Sequence, residues 1–302
     1  GPDGEYLTER LTEEAVRFLQ QQAEQPFLLY LPYFSIHTPL QGKAELMEKY
    51  ETKLAEQRAP QSASFVHRHS SYAAMVEAMD RGVGRVVATL RKLGLLDNTL
   101  LIFTSDNGGI TSLSSQRPLR AGKGSYYEGG IRIPLVVHWP ERVTAGSICH
   151  TPVINLDIYP TVLDILRKKP TADSRLDGQS ILPLLTQTGT FAERPLYWHF
   201  PIYLQQYRGW QDESRDSLFR TRPGSVIRVG DWKLHEYFED GHLELYNLNW
   251  DVSERNNLAR QYPDRTLQLH RQLQGWRRQL GARTPTTLNP AYEAAQGATV
   301  NN

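Results

Sequence analysis

A hydrophobic strand that runs into a polar, glycine-rich loop is encoded by residues 99–109, Thr99-Leu100-Leu101-Ile102-Phe103-Thr104-Ser105-Asp106-Asn107-Gly108-Gly109. Two other short apolar segments, Phe27–Leu31 and Ile133–Trp139, also have the length and composition of buried strands. Apolar residues at helical spacing predict amphipathic helices over residues 7–19 and 72–93 and a short helix that ends near residue 166. Strands that alternate with helices indicate an α/β fold, with a mainly parallel sheet sandwiched by helices.

The pattern changes after about Arg194. Apolar and polar residues alternate over Ser225–Phe238 and His242–Leu248, on either side of the turn Glu239-Asp240-Gly241. This pattern predicts a hairpin in a small antiparallel sheet. A final amphipathic helix is expected over Asp264–Leu280, so the C-terminal part is an α+β subdomain.

We therefore expect three regions along the chain. Residues 1–190 form the α/β core, residues 191–283 form the C-terminal subdomain with its antiparallel sheet and helix, and residues 284–302 form a polar tail.

Composition limits the kinds of partner. The 302 residues include 34 Lys and Arg against 33 Asp and Glu, and 39% are hydrophobic. A formal charge of +1 gives no electrostatic reason to expect nucleic acid as a partner. No apolar segment approaches the roughly 20 residues of a membrane-spanning helix, so no span is expected. The sequence leaves the oligomeric state open.

Asp106 and Asn107 are candidate metal ligands. A carboxylate and an amide carbonyl are hard oxygen donors of the kind that Ca²⁺ and Mg²⁺ prefer. In open α/β sheets, ligands bind beyond the carboxyl ends of the strands, where this loop is expected. The alternative is a simple Asx-rich turn, because Ca²⁺ takes about six to eight oxygens and two are present here.

Two basic residues in other loops are candidates for contacts with an anion. His37 lies in a stiff loop before Pro39, where an imidazole can act as a general acid. Lys123 lies in the glycine-rich segment 120–132, whose backbone can approach a ligand closely. The alternatives are a loop histidine bonded to backbone and a surface loop with a structural ion pair between Glu128 and Arg132. The segment is not a P-loop, because the Gly-x-x-x-x-Gly-Lys-Ser/Thr pattern is absent.

Seven segments in this order resemble those of the type I sulfatases, arylsulfatase-like enzymes of the alkaline phosphatase superfamily. The resemblance extends from about residue 6 to residue 260. The matching segments are residues 31–41, 72–80, 103–109, 122–134, 157–161 and 176–180, and the block formed by 231–234 with 244–248. Each motif is weak alone, but seven in the family's order are strong.

The resemblance implies roles for the candidate residues. Asp106 and Asn107 would bind a divalent cation, usually Ca²⁺ and less often Mg²⁺. Lys123 would contact the sulfate and His37 the bridging or leaving oxygen. These roles agree with the chemistry, because cleavage of a sulfate monoester develops negative charge on the departing oxygen.

An aromatic stretch points to the substrate. Residues 195–201, Pro-Leu-Tyr-Trp-His-Phe-Pro, are followed by Tyr203, Tyr207 and Trp210. Flat aromatic rings and a histidine suit a sugar ring, and the stretch resembles that of carbohydrate-active sulfatases. We predict that His199 contacts the substrate. Packing of the aromatic residues between the two subdomains is an equally good interpretation.

The chain departs from the family at the nucleophile. The family makes a formylglycine from Cys or Ser in Cys/Ser-x-Pro-x-Arg, and no such motif occurs here. The single cysteine, Cys149, is followed by Pro152, one position too far, and by no suitable arginine. The family's early paired aspartates and its additional lysine and histidine are also missing. We therefore expect the nucleophile to lie outside these 302 residues, and the chain alone to hydrolyse no sulfate ester.

The sequence thus predicts a sulfuric ester hydrolase that acts on a small-molecule or oligosaccharide sulfate ester, most often a sulfated carbohydrate. One alternative is a phosphatase or phosphonate hydrolase of the same superfamily, and another is a non-catalytic, truncated sulfatase-like domain. The resemblance implies a periplasmic, secreted or lysosomal location.

Overall fold

The computed structural model forms two compact units. Unit 1 comprises Gly1–Phe103 and Val136–Ser147, and unit 2 comprises Thr104–Leu135 and Ile148–Asn302. The structure describes residues 2, 4–56, 69–171, 173–189, 191–206, 213–215, 219–287 and 289. Within these ranges, no helix is both long and apolar enough to cross a membrane.

Three helices make up most of unit 1: α1 (Leu7–Gln21), α2 (Ala44–Glu56) and α3 (Ser70–Lys92). Helix α3 packs against both α1 and α2. Ala15 and Leu19 of α1 meet Val86 and Leu90 of α3 in a buried apolar cluster. The helices predicted over residues 7–19 and 72–93 are confirmed, because their apolar periodicity is satisfied by this mutual packing.

The segment Phe27–Leu31 differs from the prediction of a buried strand. No strand is assigned to it in the structure, and its alternate residues are half-buried against the α1–α3 cluster (Phe27, Leu29 and Leu31). Leu28 and Tyr30 point away from that cluster and are 79% and 84% exposed. The prediction was wrong about pairing and about burial, because a strand needs a hydrogen-bonded neighbour and no described segment pairs with this one.

Strands β1 (Leu101–Thr104) and β2 (Leu135–His138) pair with each other in a two-stranded sheet. They lie inside the two segments for which strands were predicted, residues 99–104 and 133–139. Helix α4 (Glu128–Ile131) occupies part of the segment between them, where the sequence predicted only a glycine-rich loop.

Asp157 organises the next part of unit 2. It ends a 3-10 turn and precedes α5 (Ile158–Ile165), which is followed by the short helix α6 (Leu182–Thr186). The fully buried carboxylate of Asp157 accepts the backbone N–H of Ile154 at 2.8 Å and of Gln179 at 2.8 Å, and it pairs with Arg194. The motif segments 157–161 and 176–180 are therefore structural partners of each other.

The remaining elements of unit 2 are β3 (Leu196–Phe200), β4 (Leu204–Gln206), β5 (Phe219–Thr221), β6 (Gly224–Val229), β7 (Trp232–Tyr237), β8 (Leu243–Asn247) and α7 (Pro263–Leu280). Strands β3, β6, β7 and β8 form an antiparallel sheet in that order, and β4 pairs with β5. The segment Ser225–Phe238, predicted as one side of a hairpin, is two strands. Gly230, with a φ of 57°, allows the tight turn between them.

Helix α7 covers one face of the four-stranded sheet. Leu269 and Leu273 pack on Ile227, Leu234 and Leu245. The predicted helix over residues 264–280 is confirmed to within one residue, and the turn at residues 239–241 joins β7 to β8 as expected.

The compact units group the chain differently from the three predicted regions, since unit 2 takes in residues 104–135 as well as the C-terminal sheet. The boundary after residue 190 stays a prediction. Most of the predicted tail, residue 288 and residues 290–302, lies outside the described residues.

Candidate functional site

Two glycine-rich loops of unit 2 carry three of the predicted site residues. The aspartate loop, residues 105–109, follows β1 and holds Asp106 and Asn107. The lysine loop, residues 120–132, includes α4 and holds Lys123.

The two loops lie backbone against backbone. The N–H of Gly108 donates to the carbonyl of Gly130 at 2.9 Å, and the N–H of Lys123 donates to the carbonyl of Gly109 at 2.8 Å. A Cβ atom on Gly108 would stand 1.8 Å from the carbonyl oxygen of Gly129, which is too close for any side chain. The glycines therefore permit the approach that places the metal-ligand candidates and Lys123 in one piece of structure.

Asp106 and Asn107 present oxygen donors. Asp106 is exposed, and no basic side chain of the described ranges pairs with it. The side-chain amide nitrogen of Asn107 donates to the backbone carbonyl of Gly108 at 3.2 Å. This bond does not use the side-chain oxygen of Asn107, which can therefore bind a cation. This pair fits a hard divalent cation in chemistry, but it supplies two of the about six to eight oxygens of a Ca²⁺ site. Within the part of the chain that the structure describes, no group of three or more His, Cys, Asp and Glu could hold a metal.

Lys123 is half-buried, and Gly122 before it and Ser125 shortly after it are buried. Ser125 fixes the turn after it, since its hydroxyl donates to the carbonyl of Gly122 at 2.9 Å. No carboxylate in the described ranges lies within ion-pairing distance of Lys123. Its charge is therefore available to an anionic ligand.

Arg120 anchors the start of the lysine loop. Its guanidinium donates to the backbone carbonyl of Glu254 at 2.7 Å and to the hydroxyl of Tyr246 at 3.3 Å. The same group lies 4.0 Å from the centre of the Tyr127 ring. These contacts tie the loop to the region around β8.

A buried charge cluster, formed by Glu128, Lys233, His235 and Glu254, anchors the end of the loop. The ammonium of Lys233 lies 2.9 Å from a carboxylate oxygen of Glu128 and 2.9 Å from one of Glu254. Glu254 also accepts the backbone N–H of Glu128 at 2.5 Å and lies 3.2 Å from Nε2 of His235. All four side chains are at most 1% exposed. The loop that carries Lys123 is therefore held by charge-assisted bonds at both ends.

Burial and neighbouring charges shift the pKa values of two members of the buried charge cluster, Glu254 and His235. Burial alone would raise the pKa of Glu254, but Lys233 and the bond to His235 outweigh it and hold that pKa at about 2. Burial lowers the pKa of His235, so the imidazole is neutral at pH 7. The sequence also suggested a structural ion pair between Glu128 and Arg132. The Arg132 guanidinium lies 3.9 Å from a carboxylate oxygen of Glu128 and is 52% exposed, so this contact is minor. Lys233 is the principal partner of Glu128.

Sequence reasoning missed most of this cluster. Lys233 and His235 are alternate residues of β7 and lie on the face opposite Leu234, which packs in the core under α7. A strand covered on both faces can carry charged residues on one of them only if each finds a partner. The only available signal was the position of Lys233 within the matching segment 231–234.

His37 lies in unit 1, in the exposed loop that follows Phe27–Leu31. Its Nδ1 atom lies 2.9 Å from the carbonyl oxygen of Thr38. This local bond is the one expected for a loop histidine, and it leaves Nε2 open. Contact of His37 with a leaving oxygen stays a prediction.

His199 has partners at both ring nitrogens. Nδ1 lies 2.7 Å from the hydroxyl of Ser225, and Nε2 lies 2.8 Å from the carbonyl oxygen of Arg283. The neighbouring Tyr197 stacks on Trp276 with ring centres 4.5 Å apart. These contacts are packing within unit 2, and a substrate contact for His199 stays a prediction. Tyr207 and Trp210 lie outside the described residues.

Comparison with known families identifies the chain. The model of the sulfatase family matches residues 1–168, and the model described as N-sulphoglucosamine sulphohydrolase, C-terminal, matches residues 122–279. The first match covers more than half of the sequence. The chain belongs to the sulfatase family.

Curated relatives agree. A sulfatase from Formosa agariphila is 32% identical over 296 residues, which is 90% of this chain and 50% of that protein. Human steryl-sulfatase is 32% identical over 275 residues, 84% of this chain and 44% of that protein. The chain therefore spans about half the length of the curated relatives it matches.

A solved structure shares the fold. The crystal structure of Ps i-CgsB superposes with a TM-score of 0.75 at 31% identity, over 98% of this chain and 59% of that one. The same protein has been solved in complex with k-i-k-neocarrahexaose. This likeness confirms the predicted fold class, an alkaline phosphatase-like α/β core with a small C-terminal subdomain that contains an antiparallel sheet.

Proposed function

We propose that this chain is part of a hydrolase of sulfate monoesters and carries part of its active site. The observation that supports the proposal most directly is the backbone contact between the aspartate loop and the lysine loop. It joins two hard oxygen donors and an unpaired ammonium in one rigid piece of unit 2. Oxygen donors for a cation beside a positive charge for an anion form a suitable pair for binding a sulfate group.

In this proposal Asp106 and Asn107 hold a divalent cation, Ca²⁺ rather than Mg²⁺. The bound cation would polarise the sulfate oxygens. Lys123 binds the sulfate through its ammonium and stabilises the negative charge that develops during cleavage. His37 contacts the bridging or leaving oxygen through Nε2, since Nδ1 is bonded to the loop backbone.

The nucleophile in this proposal is a formylglycine that lies outside the 302 residues. Two facts support this: the sequence has no Cys/Ser-x-Pro-x-Arg motif, and it spans about half of its relatives. The exposed Cys149 has no such motif around it. A preparation of the chain alone is expected to release no sulfate from 4-nitrophenyl sulfate, and Asp106-dependent turnover by it would contradict this part of the proposal.

The substrate class in this proposal is a sulfated carbohydrate. The structurally similar Ps i-CgsB, at 31% identity, has been solved with a neocarrahexaose. The aromatic β3 segment with His199 adds weaker support, because its contacts are already formed within unit 2. A steroid sulfate is the alternative suggested by human steryl-sulfatase, at 32% identity. The test is to compare sulfate release from sulfated oligosaccharides and from a steroid sulfate.

The decisive experiment is sulfate release from 4-nitrophenyl sulfate by the complete protein. Asp106→Ala and Lys123→Ala should each lower kcat/KM by at least about a hundredfold, since each removes a charge that faces the reacting group. The matched controls are Asp97→Ala and Lys92→Ala, at exposed positions of unit 1, and they should leave the rate unchanged. If the site variants behaved like these controls, the assignment of the site would be wrong.

Further measurements test the cation, the alternative functions and the location. Removal of divalent cations by a chelator should abolish sulfate release, and Ca²⁺ should restore it in the wild type but much less in Asp106→Ala. Faster turnover of 4-nitrophenyl phosphate or a phosphonate ester would favour a phosphatase or phosphonate hydrolase. Absence of turnover of all three esters would favour a non-catalytic domain.

Cell fractionation would test the expected periplasmic, secreted or lysosomal location.

A further inference from the structure

A pocket lined by three arginines lies beside the lysine loop, within unit 2. It is open to solvent and encloses only about 10 Å³, room for about one water molecule, and its walls include Ser125, Tyr126, Arg215, Arg220 and Arg222. Ser125 is only two residues from Lys123. The pocket is therefore next to the proposed sulfate contact, although none of the candidate residues discussed above lines it.

Two of the three arginines each lie against a carboxyl group of the turn between β7 and β8. The guanidinium of Arg215 lies 2.5 Å from a carboxylate oxygen of Asp240. The guanidinium of Arg222 lies 2.6 Å from a carboxylate oxygen of Glu239. These two pairs shape the pocket and hold both guanidinium groups in place.

Arg220 has no such partner. No carboxylate of the ranges that the structure describes lies within 4.0 Å of its guanidinium, although the residue is half-buried on β5. A half-buried guanidinium that lines an open pocket and lacks a carboxylate favours an anion at the mouth of that pocket. Arg220 is thus the arginine of this pocket whose charge no carboxylate of the described residues offsets.

The stem of Arg220 runs along the lysine loop. Its Cδ atom lies 3.6 Å from the point where a Cβ on Gly124 would stand, and Leu204 lies 2.3 Å from the same point. Gly124 has a φ of 93°, so the loop turns here in a conformation and a space that only glycine fits. Lys123 and Arg220 therefore flank the same short piece of backbone.

Tyr126, another residue of the pocket wall, is held in place by hydrogen bonds. The hydroxyl of Tyr126 lies 2.9 Å from the carbonyl oxygen of Phe200 and 3.0 Å from that of Gly224. Tyr126 is thereby fixed to both β3 and β6. A preformed wall lowers the entropy lost when a ligand is bound.

We propose that Arg220 binds a second anionic group of the substrate, a sulfate or a carboxylate carried by the same sugar chain as the ester that is cleaved. This inference rests on the proposed function and narrows its substrate class to oligosaccharides with at least two anionic groups. The planar guanidinium can bind either group through two parallel hydrogen bonds, which a neutral sugar cannot match. Arg220 is then a specificity residue, and Lys123 binds the group that reacts.

The test is a binding titration of the 302-residue chain, because every residue of the pocket lies within it. The probes are sucrose octasulfate, trigalacturonate and inorganic sulfate, measured by calorimetry for the wild type, Arg220→Gln and Arg220→Lys. Glutamine keeps the apolar stem that packs on Gly124 and removes the charge. The matched control for the loss of one positive charge is Arg271→Gln, at an exposed site of α7 where no carboxylate of the described residues pairs with it.

The wild type should bind at least one of the two polyanionic sugars about tenfold more tightly than inorganic sulfate. Arg220→Gln should lose most of that difference, Arg220→Lys should keep part of it, and Arg271→Gln should keep it all. The larger loss identifies the second group as sulfate if it occurs with sucrose octasulfate and as carboxylate if it occurs with trigalacturonate. An unchanged preference in Arg220→Gln, an equal loss in Arg271→Gln, or no preference in the wild type would overturn the proposal.

Thermal melting of each variant separates a loss of binding from a loss of folding, and Arg220→Lys, which keeps both stem and charge, carries the test if Arg220→Gln does not fold. The titration is independent of sulfate release. If the complete protein failed to hydrolyse sulfate esters while Arg220 still governed polyanion binding, the proposed function would fail and the pocket would remain an anion site. If the complete protein hydrolysed sulfate esters but Arg220→Gln kept the polyanion preference, the proposed function would stand and the inference about Arg220 would be wrong.

Discussion

The contact between α1 and α3 in unit 1 and the attachment of the lysine loop in unit 2 are built from opposite kinds of side chain. The first is apolar: Leu19 packs on Val86 and Leu90. The second is charged, with Lys233 bonded to two buried carboxylates. Both regions are shielded from water, so the difference lies in what each kind of contact specifies.

Apolar contacts are non-directional and specify which faces are covered, but they tolerate small shifts of one helix on another. A buried ion pair contributes little net stability, because desolvation offsets most of the attraction. It does require particular atoms at particular distances. We infer that buried ion pairs hold the lysine loop because Lys123 must be placed accurately. The helices of unit 1 need only cover each other's apolar faces.

The largest effect is expected from breaking the charged region. Lys233→Met would leave the carboxylates of Glu128 and Glu254 buried without their ammonium, and should lower the free energy of unfolding of unit 2 by about 4 kcal/mol. Denaturant unfolding followed by tryptophan fluorescence measures it, since every tryptophan except Trp139 belongs to unit 2. Lys168→Met, at an exposed position of unit 2, is the control. A loss below about 1 kcal/mol would show that the cluster is not tightly coupled.

Breaking the apolar region should have a slightly smaller effect. Leu19 is 1% exposed, and Leu19→Ala should destabilise unit 1 by about 3 kcal/mol through lost burial and the cavity left behind. Leu7→Ala, on the same helix but 52% exposed, is the control and should cost well under 1 kcal/mol. Hydrogen exchange of α1 and α3 amides reports this unit separately, and equal effects of the two substitutions would contradict the assigned core.

Acidification should destabilise unit 2 by a smaller amount than either of these substitutions. Burial lowers the pKa of His235 in the folded chain. Below about pH 6.5, His235 therefore binds a proton in the unfolded chain more readily than in the folded chain. Stability of unit 2 should therefore fall as the pH decreases through this range, by at most about 1.4 kcal/mol per pH unit. His235→Gln should remove this component of the pH dependence. An identical pH profile for wild type and variant would mean that His235 titrates alike in both states.

The smallest effect is expected from a charge pair at the surface. Arg17 is 59% exposed and lies 2.9 Å from Glu14 on the same helix. Arg17→Ala should change the stability of unit 1 by less than about 0.5 kcal/mol, because solvent screens such pairs. A loss comparable with that of Lys233→Met, in the same denaturation experiment, would remove the distinction drawn here between buried and exposed charges.

The two regions also differ in how much of them the sequence predicts. Helices α1, α3 and α7 follow from apolar residues at helical spacing, because the pattern repeats within one element. The bond between Lys233 and Glu128 joins residues more than one hundred positions apart. No local sequence pattern around either residue shows that its charged side chain is buried. Partners of this kind are defined only when the chain is folded.

The candidate site shows the same contrast. Asp106 and Lys123 could be named from their loops, because glycines and polar residues after a strand are local features. Arg220 could not, since its importance depends on the pairing of the neighbouring arginines with Asp240 and Glu239. The strand predicted at Phe27–Leu31 failed for a related reason: composition shows that a segment can be a strand, but not whether a neighbour pairs with it.

The outward face of Phe27–Leu31 has a practical consequence for handling the protein. Leu28 and Tyr30 are almost fully exposed, and Phe34 shortly after them is 69% exposed. Adjacent apolar side chains in an extended segment promote self-association in concentrated solution. Preparations of the 302-residue chain will therefore keep better when dilute, and Leu28→Lys, which removes no contact of the α1–α3 cluster, is the substitution we would make first to improve solubility.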